Sequence, residues 1–180
     1  MDAPESKSVQ PKGFLGPRQS VAAWLATGLG VSQGVPAPGT VGAIWGVPLW
    51  LALAQIPSYP AQLAVIAGLI LVGGPLCTRA ARDLHRHGLT ADTKDPQAIT
   101  WDEFTTVPLV YAFAPGACTC VSWLLAGFAL HRLFDITKPW PCRRLERLPD
   151  GWGVMADDVA AACYAGLCYT LLWRWWSGSW

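Results

Sequence analysis

Five carboxylates sit in three short polar segments: Asp102 and Glu103 in ITWDEF, Asp135 in HRLFDITKPWPC, and Asp157 with Asp158 in GWGVMADDVAA. Acids grouped in this way can gather round a divalent ion, because hard cations such as magnesium take mainly oxygen ligands. Each segment also has a plainer reading. Asp102 and Glu103 precede an apolar run, where acids at a helix start complement the dipole. A helix is expected to end near Thr137, because Lys138 precedes a proline. Asp135 then lies in the last turn, opposes the macrodipole, and calls for a cation from Arg132, Lys138 or a metal. Asp157 and Asp158 are adjacent, and repel unless water or a cation separates them.

A fourth segment, PAPGTVG at 36–42, carries no charge. Pro38 and Gly39 shape a turn, and Thr40 is placed to cap a helix starting at Val41. A helix N-terminus with free amides is a natural phosphate site; a plain capped turn is the alternative. His85, His87 and His131 have no partner spacing and read as ordinary interfacial residues. The six cysteines form no Cys-x-x-Cys pair, and read as small buried hydrophobes.

The elements that must position these residues are apolar. Only 14% of the 180 residues are charged, against roughly 25% in a soluble domain. No charge occurs between Gln19 and Cys77 or from Phe104 to Leu130. Amphipathic helices of a soluble protein need a wet face, so the solvent for these runs is lipid. The expected fold is an all-α polytopic membrane protein with short spans, a re-entrant segment and cytoplasmic polar loops. Residues 1–19 read as a flexible polar tail without a signal peptide, and 20–180 as a single membrane-embedded domain. Ser20–Val31 is too short to span and suits an interfacial or re-entrant helix. Val41–Ile56 and Ala61–Cys77 read as a transmembrane hairpin, with Pro48 able to kink its first arm. Val107–Leu130 is broken by Ala-Pro-Gly at 114–116, and Val159–Trp176 closes the chain as a last span with an interfacial tryptophan belt. The basic residues cluster in the tail and in the loops at 79–101 and 131–158, with Arg174 the exception. The positive-inside rule puts those clusters in the cytoplasm, which requires 107–130 to re-enter rather than cross. A net charge of +1 gives no nucleic-acid signal, and no obligate protein partner is evident.

Taken in order, PAPGTVG, WDEF, FDITKPWP and MADDVA resemble the motifs of the phosphatidylglycerophosphatase A family, bacterial membrane phosphatases. The resemblance runs from about Gly28 to Ala161. It implies magnesium-dependent hydrolysis of phosphatidylglycerophosphate, a membrane phospholipid, to phosphatidylglycerol and phosphate at the cytoplasmic face of the inner membrane. Asp102, Asp135 and Asp158 are then the catalytic candidates, and Asp102, Glu103, Asp157 and Asp158 the candidate Mg²⁺ ligands. Asp135 would serve as general base or further ligand, with water or an aspartate as the nucleophile. Arg132 and Lys138 would clamp phosphate oxygens, with Thr40 and its helix start as a neutral cradle. Two departures stand out: Thr105 and Thr106 where the family usually has Gly, and Ala43 where it often has Ser. Other phosphatase chemistries lack their signatures: a Cys-x5-Arg loop from Cys142 would need arginine where Leu148 stands, and no Asp-x-Asp or Gly-x4-Gly-Lys sequence occurs. The runner-up is a cation-binding membrane transporter, for which the broken 107–130 segment is the main argument.

Overall fold

The computed structural model describes residues 14–91, 96–117 and 120–178. Every regular element among them is helical. The α-helices are α1 (Val21–Ala26), α2 (Pro38–Leu53), α3 (Tyr59–Arg86), α4 (Trp101–Ala112), α5 (Val121–Thr137), α6 (Cys142–Leu145) and α7 (Gly151–Ser177), with a 3-10 turn at Pro115–Ala117. The all-helical expectation stands. By length and composition only α3 among the described helices suffices to cross a membrane. α2 is apolar but has 16 residues, and α7 has the length without the hydropathy, which its aspartates and its polar-ranked Tyr and Trp residues dilute.

Several boundaries move, each for a local reason. α1 stops at Ala26, because Gly28, Leu29 and Gly30 all take positive φ, so no helix reaches Val31. α2 starts at Pro38 rather than Val41, with left-handed Ala37 as its N-cap and the proline in its first turn. Thr40 is therefore inside the helix and caps nothing. α3 runs on to Arg86, with basic residues in its last turn and Gly88 at positive φ just beyond. The second polar loop is mostly helix, since α7 begins at Gly151. The break at 114–116 is real and divides α4 from α5.

The short α4 is the centre, packed against α2, α3, α5 and α7. The two arms expected to form a hairpin, α2 and α3, barely touch each other, because α4 lies between them. Its two faces bury Val107, Val110 and Tyr111 in a core shared with Trp50, Ile66 and Tyr169. A second apolar cluster joins α1 and α3 and includes Leu15. Leu15 also exchanges backbone hydrogen bonds with the Gln33 side chain, at 2.7 and 3.1 Å. Thus residues 14–19 of the expected tail carry a docked side chain; residues 1–13 lie outside those described. Among the cysteines, Cys77 and Cys142 are buried, Cys120 is exposed and Cys163 and Cys168 are half-buried. Cys118 lies outside the described residues. The uniform burial expected of them fails where their positions on α7 and at the start of α5 turn outward.

Close approach of α2 to α4 depends on one stripe of glycine. A Cβ on Gly42 would stand 3.0 Å from the Thr100 carbonyl, and one on Gly46 would stand 3.0 Å from the Phe104 carbonyl and 2.5 Å from Val107 Cβ. Backbone cannot yield as a flexible side chain can, so Gly46→Ala should lower stability by about 1–3 kcal/mol. Gly68 of α3 has nothing within 4 Å of such a Cβ, and Gly68→Ala should be neutral or stabilising by up to about 1 kcal/mol. Unfolding of both variants in detergent checks the contrast.

Candidate active site

All five carboxylates meet at one end of the helical bundle. Asp102 and Glu103 occupy the first turn of α4, Asp135 the last turn of α5, and Asp157 and Asp158 the second and third turns of α7. Because α4 and α5 run antiparallel across the 114–120 break, the start of one lies beside the end of the other. Asp102, Glu103, Asp157 and Asp158 are all buried.

Two cations compensate them. Arg132 Nη1 donates to Glu103 Oε1 at 2.9 Å and to Asp135 Oδ2 at 2.6 Å. Lys138 Nζ lies 2.7 Å from Asp157 Oδ2 and 3.2 Å from Glu146 Oε1. Burial alone would lower the Lys138 ammonium, but Asp157 and then Glu146 outweigh it and hold it above its ordinary value. The sequence left open which cation answers Asp135; the structure gives it Arg132 and sends Lys138 to α7. Lys138 reaches there because it is the left-handed C-cap of α5, immediately before Pro139. Asp158 has neither cation. Its Oδ2 is buried without a hydrogen-bond partner. Burial first, then repulsion by Asp102, Asp135, Asp157 and Glu103, pushes its carboxyl well above the usual range.

The uncharged turn joins the same end. Glu103 lies against α2 where Gly39 and Gly42 have no side chains; a Cβ on Gly42 would stand 2.9 Å from Glu103 Oε2. The first turn of α2, Thr40 included, is thus beside a carboxylate. His131 departs from expectation. It is not interfacial but fully buried, one turn before Asp135. Thr106 Oγ1 donates to the Asp102 carbonyl at 2.7 Å and accepts from His131 Nε2 at 3.0 Å. Thr105 likewise donates to the Trp101 carbonyl at 2.7 Å. The two threonines that depart from the family pattern are fully buried within this packing. Neither His131 nor Glu146 had a local signal in the sequence, since their partners come from other helices.

An oxygen-only donor set suits a hard divalent cation in kind, and Asp158 Oδ2 is buried without a hydrogen-bond partner. However, no three His, Cys, Asp or Glu side chains among the described residues converge at ligand spacing. Glu103, Asp135 and Asp157 are engaged by the two cations instead.

Burial lowers the His131 imidazole to about 4 from 6.5, Asp135 opposing and Arg132 adding to the shift. Between pH 6.5 and 4 the unfolded chain takes up a proton that the folded chain refuses. Stability present above pH 6.5 should therefore fall by up to about 1.4 kcal/mol per pH unit through that window. His131→Gln should remove this component, read as a shallower pH dependence of chemical unfolding than in the wild type.

The family model of phosphatidylglycerophosphatase A matches residues 24–173. The chain is 40% identical to the Haemophilus influenzae phosphatidylglycerophosphatase A over 144 residues, covering 78% of this chain and 82% of that protein. It is 33% identical to the Escherichia coli phosphatidylglycerophosphatase A over 155 residues, covering 84% and 83%. A third relative, from Bacteroides thetaiotaomicron, carries the provisional name phosphatidylinositol-3-phosphatase; it is 33% identical over 78% of this chain and 86% of its own length. No solved structure matches. On the family match and on both named relatives, the chain belongs to the phosphatidylglycerophosphatase A family.

Proposed function

We propose that this chain removes the terminal phosphate of phosphatidylglycerophosphate at a membrane surface, with Mg²⁺ as its cation. Family membership makes it a phosphoric monoester hydrolase. The observation that carries the reading is the meeting of acids from three separate motifs round Arg132 and Lys138. The transporter reading has no support: the acids lie at one end of the bundle, and the named relatives are phosphatases.

Asp102, Glu103, Asp157 and Asp158 would hold the magnesium, which when bound would neutralise phosphate charge and activate water. Asp135 accepts a proton from the attacking water. Arg132 turns from its carboxylates to phosphate oxygens, for which its planar fork is suited, and Lys138 supplies a second positive contact. The first turn of α2, with Thr40, offers backbone amides on the opposite side.

Membrane embedding belongs to this reading. The outward side chains include Trp45, Leu51, Leu71, Leu125, Leu171 and Trp175, all exposed, while Asp102, Glu103, Asp157 and Asp158 are buried at one end. Exposed apolar side chains of this kind suit contact with lipid. In this reading α2, α3 and α7 are the lipid-facing helices, the apolar part of the α4–α5 hairpin re-enters, and the carboxylate end faces the cytoplasm of a bacterial inner membrane.

The test is phosphate release from phosphatidylglycerophosphate in detergent micelles. Wild-type protein should require Mg²⁺ and lose activity in a chelator. Asp102→Ala, Asp135→Ala and Asp158→Ala should each lose at least about 100-fold in kcat yet still insert into membranes. Near-wild-type rates in all three would sink the assignment.

A further inference from the structure

The space left between α2 and α3, where two consecutive helices fail to pack, is a cleft of about 550 Å³. Val41, Trp45 and Leu49 of α2 form one wall, Leu69 of α3 the other, and Trp101 and Phe104 of α4 the floor. The turn at Gly28–Ser32 closes one end. We propose that this cleft binds an acyl chain of the lipid phosphomonoester, an assignment that rests on the phosphatase reading above.

Three observations point to that occupant. First, the cleft adjoins one of the carboxylates: Gly42 lines it, and a Cβ there would stand 2.9 Å from Glu103 Oε2. Second, its few polar groups are already engaged. Ser32 Oγ donates to the backbone at 2.7 Å, Thr100 Oγ1 donates to Ser32 Oγ at 3.4 Å, and Trp101 Nε1 donates to the Leu69 carbonyl at 3.1 Å. The walls therefore have little hydrogen bonding to offer a polar ligand, and burial of hydrocarbon is the available source of affinity. Third, its direction fits. Gly42, Trp45 and Leu49 form a stripe along α2, which advances roughly 10 Å away from the acids over those seven residues. Trp45 and Leu29 remain half-exposed at the rim, so a chain can enter from the side. A phosphate held at the carboxylate end would leave the hydrophobic part of the same molecule beside this opening.

The experiment compares short-chain and long-chain phosphatidylglycerophosphate in the same detergent. Leu69→Trp narrows the cleft without touching a carboxylate. It should lower kcat/KM at least about 10-fold on the long-chain form and less than about 2-fold on the short-chain form. An equal loss on both forms, or none on either, overturns the proposal. A wild-type measurement guards against a variant that misfolds: a diazirine-bearing acyl chain on the substrate should label Trp45, Leu69 or Phe104. Labelling only at outward positions such as Leu125 or Leu171 overturns it as well. Failure of the phosphatase reading itself is separate, since the wild type would then release no phosphate from either form.

Discussion

Five acids at one end of a small helical bundle, four of them buried, are tolerable only because two cations are built in beside them. Removing an ion from water costs several kcal/mol even after relaxation, and like charges add to that. Arg132 joins α4 to α5 through Glu103 and Asp135, and Lys138 joins the end of α5 to α7 and to Glu146 after α6. Both cations lie within a few residues of each other, so a single chain segment ties three helices together. Asp158 has no such counter-ion, which makes it the place where added positive charge relieves most.

The remaining structure holds that end in place. α4 is too short to cross a membrane but is surrounded by longer helices, so its charged first turn is held without exposure. Thr106 adds a buried bridge from the Asp102 carbonyl to His131, joining the same two helices that Arg132 joins one turn away. Apolar side chains such as Leu71, Leu125 and Trp175 are exposed on the outside of the bundle, while four carboxylates are buried within it.

Residue type was legible in the sequence, and pairing was not. The motif acids, the break at 114–116 and the end of α5 before Pro139 all follow from local chemistry, and all appear. Thr40 is a good cap by type and points to a start at Val41, whereas Pro38 in the first turn and left-handed Ala37 are the actual device. His131 looked unremarkable because its partner lies on another helix, 25 residues away. The α2–α3 hairpin was inferred from adjacency along the chain, yet the intervening helix comes from much later in the sequence. Nothing local could announce that α4 would insert there.

The glycine stripe of α2 has a mechanical consequence. Glu103 fits only where α2 presents bare backbone at Gly39 and Gly42, with Gly46 seated on Val107 farther along. A slip of α2 by one residue would drive a methyl group or a larger side chain into the carboxylate. Glu103 is therefore a key in a slot: the turn sequence sets the axial position of one helix against another. An acid at the heart of the site thereby also acts as the index mark from which α2 is aligned.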